Sequence, residues 1–121
     1  MPVKRILVVD DSPTERFFLS DLLTKHGYEV LQADSGEAGV AKAKAEKPDL
    51  LVMDVVMPGL NGYQATRMLT RDEATKNIPI ILCTTKGQET DKIWGMRQGA
   101  TDYLVKPVDP VKLLQRIAAI P

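Results

Sequence analysis

The chain has one cysteine, one histidine and no net charge, because its sixteen basic residues cancel its sixteen acidic ones. A lone thiol, Cys83, cannot form an intrachain disulfide; this points to a reducing compartment, and its place in an apolar run marks it as a core filler. Balanced charge argues against bulk attraction to nucleic acid or to an acidic membrane surface. The N-terminal apolar run, Ile6–Val9, gives way at once to two acids and is too short for a signal peptide or a membrane span, so a cytoplasmic protein without membrane insertion is expected. That run is followed by Asp10-Asp11-Ser12-Pro13 and not by G-x-G-x-x-G, which sets aside a dinucleotide site. His26 falls at the end of a helix, where a cation suits the dipole, and receives no catalytic role. A length of 121 residues allows one compact domain, 1–121, with a real core and no output domain.

What the sequence does contain is organised around Leu50–Gly62, LLVMDVVMPGLNG. Four apolar residues run straight into Asp54, and a loop punctuated by Pro-Gly and Asn-Gly follows. A continuous apolar run bounded by turn residues reads as a strand buried on both faces. Asp54 then sits at the carboxyl end of a central parallel strand, where open α/β sheets place their chemistry.

The flanking sequence repeats a strand-then-helix unit. Strands are expected at Ile6–Val9, Tyr28–Leu31, Leu50–Met53, Ile78–Cys83 and Tyr103–Val105. Ser12-Pro13 opens the first helix, with Phe18, Leu19, Leu22 and Leu23 inward and Ser20 outward. Asp34-Ser35-Gly36 opens a second, which buries Gly39, Val40 and Ala43 and stops before Pro48. Tyr63–Thr70 offers Met68 and Leu69 to the core. Glu89–Arg97 carries Gly95 and places Ile93 inward, and Pro110–Ile120 buries Leu113, Leu114, Ile117 and Ala118. Five such units predict a doubly wound, right-handed parallel sheet with helices on both faces.

The strand ends collect Asp10 and Asp11, Asp54, Thr84 and Lys106. Each has an ordinary reading: helix caps, a loop hydroxyl, a solvated charge. Their convergence on one edge does not. Three carboxylates brought together repel one another unless compensated, and a hard divalent cation with the Lys106 ammonium supplies the counter-charge. Magnesium suits the all-oxygen donor set better than zinc, and it keeps positions open for phosphate oxygen. A carboxylate nucleophile, a cation, a hydroxyl and a lysine together suit phosphoryl transfer, with Asp54 attacking, Asp11 and its neighbour Asp10 holding the metal, and Thr84 and Lys106 contacting the new phosphoryl group.

In these motifs, Asp10-Asp11, MDVVMPG around Asp54, Thr84 and Lys106-Pro107, the chain resembles the receiver domains of two-component response regulators, of the chemotaxis CheY type, over essentially its whole length. The resemblance implies a flavodoxin-like five-stranded sheet of order 2-1-3-4-5 with five helices. It implies Mg²⁺ completed by the Val56 backbone carbonyl, a cis Lys106-Pro107 bond, and a histidine kinase as phosphodonor. GLNGYQATR and TTKGQETDKIWGMRQGATDYLVKPV further resemble stand-alone PilH-type receivers of twitching-motility chemosensory systems. Thr85 departs from the family pattern, which favours a very small residue there, and Val56 and Lys86 would line the approach of hydrolytic water.

A Mg²⁺-dependent phosphatase is the enzymatic alternative, but the position for its general acid, two past Asp54, is the apolar Val56. A pseudo-receiver is disfavoured by the full acidic and lysine set. The expectation is a monomeric signalling module whose message is a change of surface, with at most slow self-phosphorylation and autodephosphorylation. Thr84 and the ring of Tyr103 would relay the change to a face carrying Gln88, Lys92, Trp94, Tyr103, Val108 and Lys112, which a downstream protein target or motor component reads.

Overall fold

In a computed structural model that describes residues 2–121, five strands alternate with five helices. They are β1 (Arg5–Val9), α1 (Pro13–Lys25), β2 (Glu29–Ala33), α2 (Gly36–Glu46), β3 (Leu50–Met53), α3 (Gly62–Arg71), β4 (Ile80–Thr84), α4 (Glu89–Arg97), β5 (Asp102–Val105) and α5 (Pro110–Ala118). All pairings are parallel and the order is β2-β1-β3-β4-β5, so the crossover from β2 past β1 to β3 opens a crevice at the carboxyl ends of β1 and β3.

Period-two alternation distributes the apolar residues of the strands to two cores. Ile6, Val8, Leu50, Val52, Ile81, Cys83 and Leu104 point to one side, where Leu19 and Leu23 of α1 and Leu113 and Ile117 of α5 cover them. Leu7, Val9, Leu51, Met53 and Leu82 point to the other, under Val40 and Ala43 of α2 and Ala65 and Leu69 of α3. A strand buried on both faces needs no polar alternation, which is why β3 and β4 read as unbroken apolar runs.

Local chemistry sets the helix ends. Ser12 caps α1 by accepting from the Glu15 amide, Ser35 caps α2 through the Ala38 amide, and Asn61 and Gln64 form a reciprocal capping box on α3. Gly99 closes the α4 turn at φ +110°, a left-handed conformation that suits glycine.

Several helix faces differ from the sequence expectation. Phe18 is 43% exposed and Ser20 is buried, because the buried arc of α1 is centred between Leu19 and Leu23 and rolls toward Ser20. Met68 and Ile93 are each 46% exposed: α3 buries Leu69 as expected but Ala65 and Thr66 in place of Met68, and α4 turns Gly95 to the sheet. Ala118 is exposed beyond Ile117. Strand β2 begins one residue late because the Tyr28 amide still bonds the Leu23 carbonyl at the end of α1. Strand β4 begins at Ile80 because the Ile78 amide closes a turn on Thr75, although the Pro79 carbonyl already accepts from Leu51.

Candidate functional site

Asp10 follows β1 and Asp54 follows β3, and both backbones are fixed by the sheet: the Asp10 amide bonds Ala33 and the Asp54 amide bonds Val9. Asp10 is 1% exposed. Its Oδ1 accepts from the Ser12 amide at 2.9 Å, and its carbonyl accepts from the Arg16 guanidinium at 2.8 Å. The Oδ1 of Asp54 accepts from the amides of Val55 at 2.7 Å and Val56 at 3.3 Å, which leaves Oδ2 directed to the crevice. One carboxylate oxygen each from Asp10, Asp11 and Asp54 lie within 4.8 Å of one another. Asp11 is the exposed member, so water reaches the cluster from its side.

Lys106 is carried in from β5. Its amide bonds the Thr84 carbonyl at 2.8 Å, and the Lys106–Pro107 peptide is cis. The ammonium donates to Asp10 Oδ2 at 2.9 Å and Asp54 Oδ2 at 3.4 Å, with Glu15 at 4.0 Å. Burial by itself pushes the lysine pKa down; the hydrogen bond to Asp10 and the charges of Asp54, Asp10 and Glu15 together outweigh it and hold the group above its ordinary value. One ammonium stands against three clustered carboxylates, so the pocket remains strongly electronegative.

Thr84, fully buried at the end of β4, accepts the Lys86 amide on Oγ1 at 3.3 Å. Val56 and Lys86 line a cleft of about 230 Å³ with Met57, Asn61 and Tyr63, while Thr85 is exposed. Gly62 is required beneath the loop: a Cβ there would lie 2.2 Å from the Asp54 carbonyl oxygen, and the Gly62 amide bonds the Val55 carbonyl at 2.9 Å.

The structure thus gathers Asp10, Asp11, Asp54 and Lys106 in one crevice. Gln88, Lys92 and Trp94 are exposed on and before α4, with Trp94 at 48%. Thr84 is fully buried, while Tyr103, 4% exposed, lines a cleft on that face with Lys92, Val105 and Lys112.

Residues that sequence reasoning passed over also shape the site. Glu15 reaches Lys106, and its position one helical turn after Asp11 was a usable signal. Arg16 grips the Asp10 carbonyl from the same turn. Tyr63 contacts Tyr103, forty residues away, and nothing local announces that meeting.

The response regulator receiver domain model matches residues 6–118. Protein PilH of Pseudomonas aeruginosa is 62% identical over 116 residues, which are 96% of each chain. Further curated relatives are longer, and the chain spans 51% to 26% of their length. A putative response regulator from Chloroflexus aurantiacus superposes with a TM-score of 0.90 at 38% identity, covering 97% of this chain and 95% of that one. The CheX-CheY-BeF3-Mg²⁺ complex from Borrelia burgdorferi gives a TM-score of 0.90 at 29% identity, covering 97% and 88%. With this agreement of sequence, strand order and acidic crevice, the chain belongs to the response regulator receiver domain family, signalling domains that accept a phosphoryl group on an aspartate.

Proposed function

We propose that Asp54 is the phosphoacceptor and that the donor is a phosphohistidine of a chemosensory-type histidine kinase. The observation that carries this reading is the position of Asp54 Oδ2, 3.4 Å from the Lys106 ammonium and beside the carboxylates of Asp10 and Asp11. Two backbone amides pin the other oxygen, so the nucleophile is oriented before the donor arrives. In the transfer an Asp54 oxygen forms the new bond to phosphorus while the N–P bond to the imidazole breaks. The imidazole nitrogen keeps that electron pair and takes a proton from water. Lys106 and the Thr84 hydroxyl are the groups proposed to hold the phosphoryl oxygens as charge develops on them.

The donor set fits Mg²⁺. It is made of oxygens, is overcharged relative to its one ammonium, and is open to water at Asp11, which suits an ion that retains part of its hydration shell. Asp10, Asp11 and Asp54, with the Val56 carbonyl, would hold it. When bound, it neutralises charge on the carboxylates and on the phosphoryl oxygens.

The same reading makes residues 1–121 a receiver domain, acting in the cytoplasm as a monomer, with no nucleic acid contact and no membrane insertion. Among the described residues no helix is long and apolar enough to cross a membrane. Output would be a change on the α4-β5-α5 face, where Lys92, Val105 and Lys112 border a cleft and Trp94 stands exposed, read by a downstream protein or motor component. The likeness to PilH supports a chemotaxis-like pathway of type IV pilus or twitching motility. Asp54→Asn should abolish Mg²⁺-dependent labelling by a kinase or by a small phosphodonor. Undiminished labelling of that variant would refute the assignment.

A further inference from the structure

Tyr63 is the second residue of α3, directly behind the Asp54 loop: the amide of its neighbour Gly62 bonds the Val55 carbonyl at 2.9 Å. Its hydroxyl reaches the Asp91 carbonyl in the first turn of α4 at 3.1 Å and the Tyr103 hydroxyl at 3.2 Å. The Tyr103 hydroxyl in turn donates to the Lys86 carbonyl at 2.7 Å. Hydrogen bookkeeping fixes the direction of this chain. Tyr103 has one hydroxyl hydrogen and spends it on Lys86, so its oxygen can only accept from Tyr63. Tyr63 also has one hydrogen, shared between two acceptors, the Asp91 carbonyl and Tyr103.

The ring of Tyr103 has little room to leave this arrangement while α4 stays in place. It packs so closely on α4 that a Cβ at Gly95 would lie 2.9 Å from Cδ2 and 3.0 Å from Cε2. Gln88 and Asp91 tie the start of α4 together, and the Lys86 ammonium stands 3.9 Å from the Asp91 carboxylate. Tyr63, Tyr103, Lys86 and Asp91 therefore form one closed set of contacts joining the end of the Asp54 loop to the β4–α4 loop that follows Thr84.

We infer that Tyr63 is a positioning residue for the switch: its hydroxyl holds Tyr103 in the buried position and links the Asp54 loop to the β4–α4 loop by a route that does not pass through Thr84. This deepens the proposed function and rests on it for the meaning of the switch, but the hydroxyl contact itself is independent of phosphorylation. Displacement of the Asp54 loop moves the N-terminus of α3, changes how the Tyr63 hydrogen is divided between Asp91 and Tyr103, and so loosens or tightens the hold on Lys86.

Tyr63→Phe keeps the ring and removes only the hydroxyl. The test is ¹⁹F NMR of the full chain labelled with fluorotyrosine, the Tyr103 signal being assigned by its loss in Tyr103→Phe, with ¹⁵N shifts of the β4–α4 loop recorded alongside. In Tyr63→Phe, the ratio of buried to solvent-exposed Tyr103 should fall by about 2-fold, the size of a half share in one net hydrogen bond, and the amides of Lys86 to Gln88 should shift. In a Tyr103→Phe background, Tyr63→Phe should shift the Lys86 amide less than it does in wild type, since only the Asp91 contact is then left to lose, which separates coupling through Tyr103 from the direct contact with α4. An unchanged Tyr103 signal in Tyr63→Phe, or a Lys86 shift of undiminished size without the Tyr103 hydroxyl, would overturn the inference. Beryllofluoride with Mg²⁺ is added as a separate arm: failure of wild type to respond there tells against phosphorylation at Asp54, whereas the Tyr103 result judges the positioning role.

Discussion

Replacing Lys106 by methionine removes the one ammonium that, among the described residues, touches Asp10 and Asp54, while preserving most of the side-chain volume. The side chains are 9% exposed for Lys106, 2% for Asp10 and 11% for Asp54, so the loss leaves a buried carboxylate with no cationic partner. Breaking a buried pair by deleting one partner costs about 3–5 kcal/mol. Two features place this case at the lower end. Asp54 retains its two backbone amide hydrogen bonds, and the methionine no longer bears the desolvation cost of a buried ammonium. Lys106→Met should therefore lose about 3 kcal/mol at pH 7 in urea unfolding without divalent ions. At roughly 4 °C per kcal/mol for a domain of this size, this corresponds to a fall in Tm of about 12 °C.

The pH dependence has a definite sign. The lysine pKa is raised in the folded state, so its contribution is fully present below its ordinary value of 10.5 and is lost as pH rises through the raised folded value. The gap between wild type and Lys106→Met should stay constant from neutral pH to about 10 and close above it. Saturating Mg²⁺ should narrow the gap, because the carboxylate cluster without its ammonium is more negative, binds the cation more tightly and is stabilised more by mass action. A loss smaller than about 1 kcal/mol, or a gain, would show that solvent rather than Lys106 compensates Asp10.

Gly62→Ala should disrupt the site rather than the helix, since its Cβ would meet the Asp54 carbonyl oxygen at 2.2 Å; loss of phosphoryl labelling with near-native circular dichroism is expected, and wild-type labelling would contradict it. Asn61→Ala removes the α3 capping box and should cost about 1 kcal/mol in chemical denaturation. Burial pushes the Cys83 thiol up from 9.0 to about 12, so a thiol reagent at pH 8 should react only after denaturation. The stability linked to that thiol is complete below pH 9.0 and declines between there and about 12; rapid native-state modification at pH 8 would refute the burial argument.

Much of the fold is already present in the one-dimensional pattern. Unbroken apolar runs at Leu50–Met53 and Ile80–Cys83 can be satisfied only by strands covered on both sides, and alternating helices with short connections then dictate parallel pairing. The acidic crevice was legible for the same reason. Asp10, Asp54 and Lys106 each directly follow a strand, and parallel topology delivers all such positions to one edge of the sheet.

What tertiary structure alone decided are the quantities that depend on how helices roll and on side chains that meet across the chain. Phe18 and Ser20 lie at opposite shoulders of the buried arc of α1, and only the tilt of the helix on the sheet determines which is covered. Ile93 looked like the inward residue of α4, yet the close approach of that helix to Tyr103 turns Gly95 inward and leaves Ile93 in water. The Tyr63–Tyr103–Lys86 chain joins residues from α3, β5 and the β4–α4 loop. No local periodicity encodes it, because a hydroxyl contact between distant elements exists only once the sheet has set their separation.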